Sequence, residues 1–93
     1  MAIWQPLPGK ESAALATTRE IGSVVAAKGY GRDLVYRGSG SQYVLLRFWK
    51  SPQSRGVALE DADLLRCWAR LANEIQMLKI YETLTEVPPE LAS

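Results

Sequence analysis

Hydrophobic residues change their spacing several times along the chain, and each change marks a new element. Residues 2–7 are short, β-favouring and apolar at alternate positions, which predicts either an edge strand or a strand that stops by Pro6, because proline cannot donate to a ladder. From Glu11 onward, apolar and small side chains recur every three or four residues, as on one face of a helix: Leu15, Thr18, Ile21, Gly22 and Val25. Ser12 is the candidate N-cap, and Gly29 is placed to end this helix.

Two strands joined by a glycine-rich hairpin loop follow this helix. They are predicted at 33–37 and 42–50, with the loop at 38–41. The second strand is apolar at nearly every position, with Tyr43, Leu45 and Trp49 on one side and Val44, Leu46 and Phe48 on the other. A strand of this composition is typical of one that is buried on both faces.

The C-terminal third contains the strongest helical pattern and one ambiguous segment. Residues 51–56 predict a loop, and the apolar row Leu64, Trp68, Leu71 and Ile75 predicts a helix over 59–75. Residues 77–87 would extend this helix or form a strand. Because β-branched and aromatic residues are frequent there, we predict a strand over 78–87 that ends at the prolines 88–89.

The resulting order β-α-β-β-α-β is that of a ferredoxin-like α+β fold: a four-stranded antiparallel sheet with two helices on one face. The 93 residues fit one domain, 1–93. Because the strand at 42–50 is apolar on both sides, the sheet face without helices needs a cover. We expect a homodimer that packs sheet on sheet, although a different partner would also provide that cover.

Composition and charge exclude several classes of function. The formal net charge of +1 gives no reason to expect nucleic acid or an anionic membrane as a partner. The single cysteine, Cys67, excludes an intrachain disulfide, and the sequence has neither a membrane-spanning run nor a signal pattern, so we expect a cytoplasmic protein. The absence of histidine excludes Ser-His-Asp and Cys-His catalysis and His-rich zinc sites, and one cysteine cannot build a thiolate zinc site, so no metal is expected.

Three features together resemble the antibiotic biosynthesis monooxygenase family of the dimeric α+β-barrel superfamily. The first strand runs through Pro8-Gly9-Lys10 into the first helix, and residues 43–51 are similar to the family's aromatic-rich third strand, which ends in a tryptophan. The order and length of the elements match over nearly the whole chain. The resemblance implies a dimeric α+β barrel and, for some members, oxygenation of a small aromatic or polyketide-like molecule without metal or flavin.

The chain also departs from the pattern of the family. Arg47 stands where the family often has an acidic residue, and the family's histidine on the second helix is missing. The haem-degrading branch needs that histidine and an asparagine on the first strand, near the position that Ala2 occupies here. We therefore do not expect haem degradation.

Aromatic residues and one arginine are the candidates for lining a substrate pocket: Trp4, Tyr36, Tyr43, Arg47, Phe48, Trp49 and Trp68. Each also has a structural interpretation, because aromatic residues in a small domain fill cores and interfaces. Arg47 would either hold an anionic or enolate substrate or pair with Glu82 or Glu86 on a neighbouring strand. Cys67 is interpreted as a small buried hydrophobe.

Three hypotheses for the function follow. The first is a monooxygenase-like protein that acts on a small aromatic molecule in an apolar pocket, and no catalytic residue can be assigned to it. The second is a non-catalytic domain of the same fold that binds a small ligand or associates with itself. RNA recognition is the third, because RNA-binding domains share the element order. However, the third strand lacks their Lys/Arg-Gly-Phe/Tyr pattern.

Overall fold

The structure is a computed structural model that describes residues 1–85, 87 and 88. It contains four strands, β1 (Ala2–Pro6), β2 (Gly31–Arg37), β3 (Tyr43–Trp49) and β4 (Ile75–Ile80), and three helices, α1 (Glu11–Ala27), α2 (Pro52–Ala58) and α3 (Ala62–Ala72). The order along the chain is therefore β-α-β-β-α-α-β.

The strands form one antiparallel sheet in the order β2-β3-β1-β4. This α+β arrangement is compatible with a ferredoxin-like fold, as the sequence predicted. The helices α1 and α3 pack on one face of the sheet, which we call the helix-side face. The opposite face, which no described element covers, is called the open face. Alternation along β3 places Arg47 on the helix-side face and Phe48 on the open face.

Several local predictions were wrong. The first strand ends at Pro6 but lies between β3 and β4, so the edge-strand alternative was wrong. The helix predicted over 59–75 is the shorter α3, because Leu59 is the C-cap of α2 and Ile75 begins β4. The segment predicted as a loop at 51–56 is mostly helical, because Ser51 caps α2 by accepting a hydrogen bond from the Ser54 amide at 3.0 Å, and Pro52 suits a first helical turn. The last strand begins and ends earlier than the predicted 78–87, at Ile75 and Ile80. Ser12 lies within the first turn of α1, whose N-cap is Lys10. Two residues of these predictions lie outside the described residues: Glu86 of the predicted last strand, and Pro89 of the proline pair expected to end it.

Two buried clusters form the core between the helices and the sheet. One joins α1, α2 and α3 around Ile21, Val25 and Leu64, and Trp49 and Trp68 pack against it. The other contains Trp4, Ala14, Tyr43 and Ile75, and Leu71 packs against both clusters. Helix α1 meets α3 over much of its length, so the two helices share the cover of the helix-side face.

The open face of the sheet has an apolar patch on β2 and β3 that is incompletely buried within one chain, and Arg32 lies over the Phe48 ring beside it. Phe48 is 50% exposed and Tyr36 is 52% exposed there, and Val44 and Leu46 lie between them half-buried. In the single chain, β3 is therefore covered on its helix-side face but not on its open face, and burial on both sides was expected.

Candidate functional site

A cavity of about 340 Å³ lies between the helix-side face of the sheet and the helices. All three tryptophans of the chain, Trp4, Trp49 and Trp68, contribute to its lining. Much of the remaining lining is aliphatic: Ile21, Leu45, Leu59, Leu71, Met77 and Ile80. A largely apolar cavity of this size with a few polar groups is typical of a site for a small molecule.

The three tryptophans reach the cavity from three different elements. Trp4 is almost completely buried on β1, in the middle of the sheet, and its ring stacks on Tyr43 with the centroids 4.8 Å apart. Trp49 ends β3, and Trp68 lies on α3 on the other side of the space. Strand alternation and helical spacing thus bring together residues that are far apart in the sequence.

Arg47 is the principal polar group of the cavity wall. Its Nε donates to Asp33 Oδ1 at 2.6 Å and its Nη2 donates to Asp33 Oδ2 at 2.7 Å, so the two side chains form a side-on ion pair. The Asp33 side chain is only 3% exposed and that of Arg47 16%. The guanidinium carbon also lies 5.4 Å from the Trp49 ring centroid and 5.9 Å from that of Trp68. These contacts hold the guanidinium in one orientation.

The observed partner of Arg47 replaces one of the partners expected from the sequence. The pairing with Glu82 was wrong: Arg47 and Asp33 are directly opposite each other on β3 and β2. Glu86, the other expected partner, lies outside the described residues. In the hydrogen bonds among residues 1–85, 87 and 88, Arg47 uses Nε and Nη2, which leaves Nη1 for another acceptor.

The outer end of the cavity is bordered by charged and amphipathic side chains. Arg55 of α2 and Glu82, which follows β4, line both the cavity and a shallow groove outside it. Tyr81 lines the same end, and its backbone amide donates to the Met1 carbonyl at 2.7 Å. This end is therefore the entrance from solvent.

The structure brings together four of the seven candidate residues in this cavity: Trp4, Arg47, Trp49 and Trp68. Tyr43 lies behind Trp4 in the core, and its hydroxyl is buried without a hydrogen-bond partner among the described residues. Tyr36 and Phe48 lie on the open face and point away from the cavity.

Sequence reasoning missed several groups that shape the site. Asp33 was predicted only to begin a strand, although an acidic residue opposite Arg47 in a hairpin is a recognisable signal for a cross-strand ion pair. Arg55 and Leu59 were missed because α2 was predicted as a loop and the start of the next helix. Nothing in the local sequence predicts that Met77 and Ile80 face the cavity, because a bulge shifts the register between β1 and β4.

A second polar cluster lies at the N-terminus of α3 and has a structural role. Asp61 accepts hydrogen bonds from Lys28 Nζ and the Tyr30 hydroxyl, both at 2.7 Å, and caps α3 through the amides of Asp63 and Leu64. The Lys28 ammonium holds the pKa of Asp61 well below its usual range, and Asp61 in turn raises the pKa of Lys28. The cluster therefore joins the segment between α1 and β2, which carries Lys28 and Tyr30, to the start of α3.

The remaining reactive groups do not form a catalytic or metal site in the part of the chain that the structure describes. Cys67 is buried, and burial raises the pKa of its thiol, which makes a reactive thiolate unfavourable. Among residues 1–85, 87 and 88, no three acidic or cysteine side chains gather in a geometry for a metal ion. Over the same residues, no helix is long and apolar enough to cross a membrane.

Comparisons of the chain with protein-family models, curated proteins and solved structures find no match. The function is therefore inferred from the cavity and the surfaces described above.

Proposed function

We propose that this protein binds a small, flat, largely apolar aromatic molecule in the cavity between its sheet and its helices. The observation that carries this proposal is that all three tryptophans line one cavity of about 340 Å³. Indole rings offer large rigid faces on which another ring system stacks, at little cost in conformational entropy. Arg47, held by Asp33, supplies a fixed hydrogen-bond donor for an oxygen atom of the ligand.

Isothermal titration calorimetry with 2-acetylnaphthalene, a two-ring ketone, tests this proposal. We expect one molecule per chain to bind. Ile80→Phe should fill the entrance and weaken binding about tenfold or more, because Ile80 lines the cavity and is 60% exposed. Leu65→Phe is the matched control: Leu65 is 48% exposed on α3 and is not among the described lining residues. Absence of binding to the unaltered protein, or equal weakening by both variants, would contradict the proposal.

Oxygenation of the bound molecule is a second candidate function, which the resemblance to antibiotic biosynthesis monooxygenases favours. In this reaction an activated CH₂ group beside an aromatic ring reacts with O₂ to give a ketone and one molecule of water. The carbon loses two hydrogen atoms and gains one oxygen atom, and the second oxygen leaves as water. Arg47 supports this hypothesis, because a fixed guanidinium donor beside the cavity hydrogen-bonds the substrate oxygen on which negative charge develops during reaction with O₂, even though Asp33 balances the net charge of the guanidinium.

Oxygen uptake with anthrone as the substrate distinguishes oxygenation from binding alone. A catalyst should accelerate oxygen consumption above the rate in buffer, and the paired variant Asp33→Asn with Arg47→Gln should reduce that rate at least about tenfold. The pair is replaced together because Arg47 alone would leave a buried, unpaired Asp33. Binding without accelerated uptake would support the non-catalytic alternative.

We further propose that two copies pack with their open faces together, as in a dimeric α+β barrel built from ferredoxin-like chains. The apolar open face supports this, since Phe48, Tyr36 and their half-buried neighbours lose contact with water in such a pair. A second copy presents the same apolar face, which makes the contact self-complementary. The helices and the cavity of each copy would then remain on the outside of the pair.

A further inference from the structure

Asp33 balances the charge of Arg47 at the cavity wall, and this balance restricts the chemistry of the ligand. The lining contains two arginines, Arg47 and Arg55, and one carboxylate, Glu82. Asp33, which is bonded to Arg47 behind the wall, supplies a second carboxylate. The Arg47–Asp33 pair at the wall is therefore neutral, whereas Arg55 and Glu82 are exposed and solvent screens their charges. The amino group of Met1 donates to the Tyr81 carbonyl at 2.7 Å in an exposed position, where solvent screens its charge.

Entering this cavity would cost a carboxylate ligand more desolvation free energy than it would cost a neutral ligand. It would give up its hydration in a space walled by tryptophan and aliphatic side chains, and the guanidinium that it meets is already neutralised by Asp33. The ligand charge would also lie near the carboxylate of Asp33, across a single guanidinium. A carbonyl or phenolic oxygen has no net charge to compensate and still accepts a hydrogen bond from Arg47.

We infer that the ligand is an uncharged aromatic molecule whose carbonyl or phenolic oxygen accepts a hydrogen bond from Arg47 Nη1, and that Asp33 sets this preference. The inference rests on the proposed binding function and adds the charge class of the ligand. Asp33 acts here as a positioning and specificity-determining residue: it orients the guanidinium through two hydrogen bonds and cancels its charge. The same site without the Asp33 charge would favour an anion.

Three probes of nearly equal shape test this inference by calorimetry near pH 7. They are 2-acetylnaphthalene, which offers a neutral carbonyl, 2-naphthoate, which offers a carboxylate, and 2-ethylnaphthalene, which offers no oxygen. We expect the ketone to bind about tenfold more tightly than either of the others, because it alone gains the hydrogen bond without bringing an uncompensated charge.

Asp33→Asn should change the order of affinities. The amide keeps the shape of the side chain but removes its charge, so the affinity of naphthoate relative to the ketone should rise by more than about tenfold, which makes naphthoate the tighter ligand. Glu82→Gln removes a negative charge from the exposed entrance, where folding tolerates it, and should shift the same ratio in the same direction by a smaller factor. Glu60→Gln, at an exposed carboxylate outside the described lining, is the control and should leave the ratio unchanged.

The outcomes separate this inference from the proposed function. Naphthoate binding to the unaltered protein as tightly as the ketone would overturn the inference while leaving the binding function supported. An unchanged ratio in Asp33→Asn and in Glu82→Gln would overturn it as well. Failure of all three probes to bind would contradict the proposed function itself, and the inference with it.

Discussion

Individual residues limit how the two strands of the hairpin approach each other. Gly31 begins β2 opposite Trp49, and a Cβ built at this position would lie 2.1 Å from the carbonyl oxygen of Phe48. That distance is far below van der Waals contact, and the atom it meets belongs to the backbone, which cannot rotate away. Only glycine fits at this position without moving β3, which carries both Arg47 and Trp49 into the cavity.

Gly31→Ala should therefore destabilise the protein by about 1–3 kcal/mol, because the strands must shift to admit the methyl group. The measurement is the free energy of unfolding from a urea titration. Gly56→Ala is the matched control: Gly56 lies in α2, and a Cβ at this position would meet no described side chain or neighbouring element within 4 Å. There alanine should be neutral or stabilise by up to about 1 kcal/mol. Equal effects of the two substitutions would refute the close approach of the strands as the cause.

At the scale of elements, Asp61 links the start of α3 to the segment between α1 and β2. Its carboxylate accepts from Lys28 and Tyr30, and these hydrogen bonds keep its pKa below the ordinary value of 3.8. A carboxyl whose pKa is lower in the folded than in the unfolded protein stabilises the fold at pH values above its unfolded pKa. That contribution is lost as the pH falls through the unfolded pKa and then toward the folded one.

The melting temperature should accordingly fall as the pH is lowered from about 5 toward 2. Asp61→Asn should flatten part of this decrease and lower the melting temperature at neutral pH. Asparagine still caps a helix but does not pair with Lys28 as an anion. Glu60→Gln, an exposed neighbour that caps no helix, is the control and should leave the acid limb unchanged. If the melting temperature of Asp61→Asn fell as steeply at low pH as that of the unaltered protein, this role of Asp61 would be contradicted.

The elements also show which parts of the structure the sequence could predict. Long periodic segments such as α1 and the dense apolar strand β3 were predicted close to their observed positions, because their patterns depend on burial against a core. The short helix α2 was missed, since seven residues containing a glycine give little periodic signal and its Ser51 cap is a local detail. The early start of β4 was missed because Ile75 continues the helical spacing of α3 while its backbone already pairs with β1.

The candidate site was predictable only in part, because the sequence gives the residue types but not how the elements pack together. Trp4, Trp49 and Trp68 could be proposed from residue type, but their convergence on one cavity depends on the sheet order, with β1 and β3 adjacent below α3. Tyr36 and Phe48 could not be separated from them by type alone. Alternation along β3 already separates Phe48 from Trp49, but only the packing of the helices shows which side is the open face, and only the register of β2 and β3 places Tyr36 there.

For the whole molecule, the proposed pairing of two open faces is tested by a substitution on that face. Phe48→Glu places a charge on this face at a side chain that is half exposed in the single chain, so the fold should tolerate it. We expect light scattering behind a sizing column to give a mass near twice 10.3 kDa for the unaltered protein and near one chain for the variant. Val57→Glu, at a 57% exposed position on α2, is the control and should remain a dimer. A monomeric unaltered protein at every concentration would contradict sheet-on-sheet pairing.

The central claim is that three tryptophans from separate elements form one binding site. An NMR titration with 2-acetylnaphthalene, following the three indole N–H signals, tests this most directly. We expect all three signals to shift along one saturation curve with a single Kd, because one ligand contacts the walls formed by Trp4, Trp49 and Trp68. Indole signals that do not move, or that follow separate curves with different Kd values, would contradict the claim.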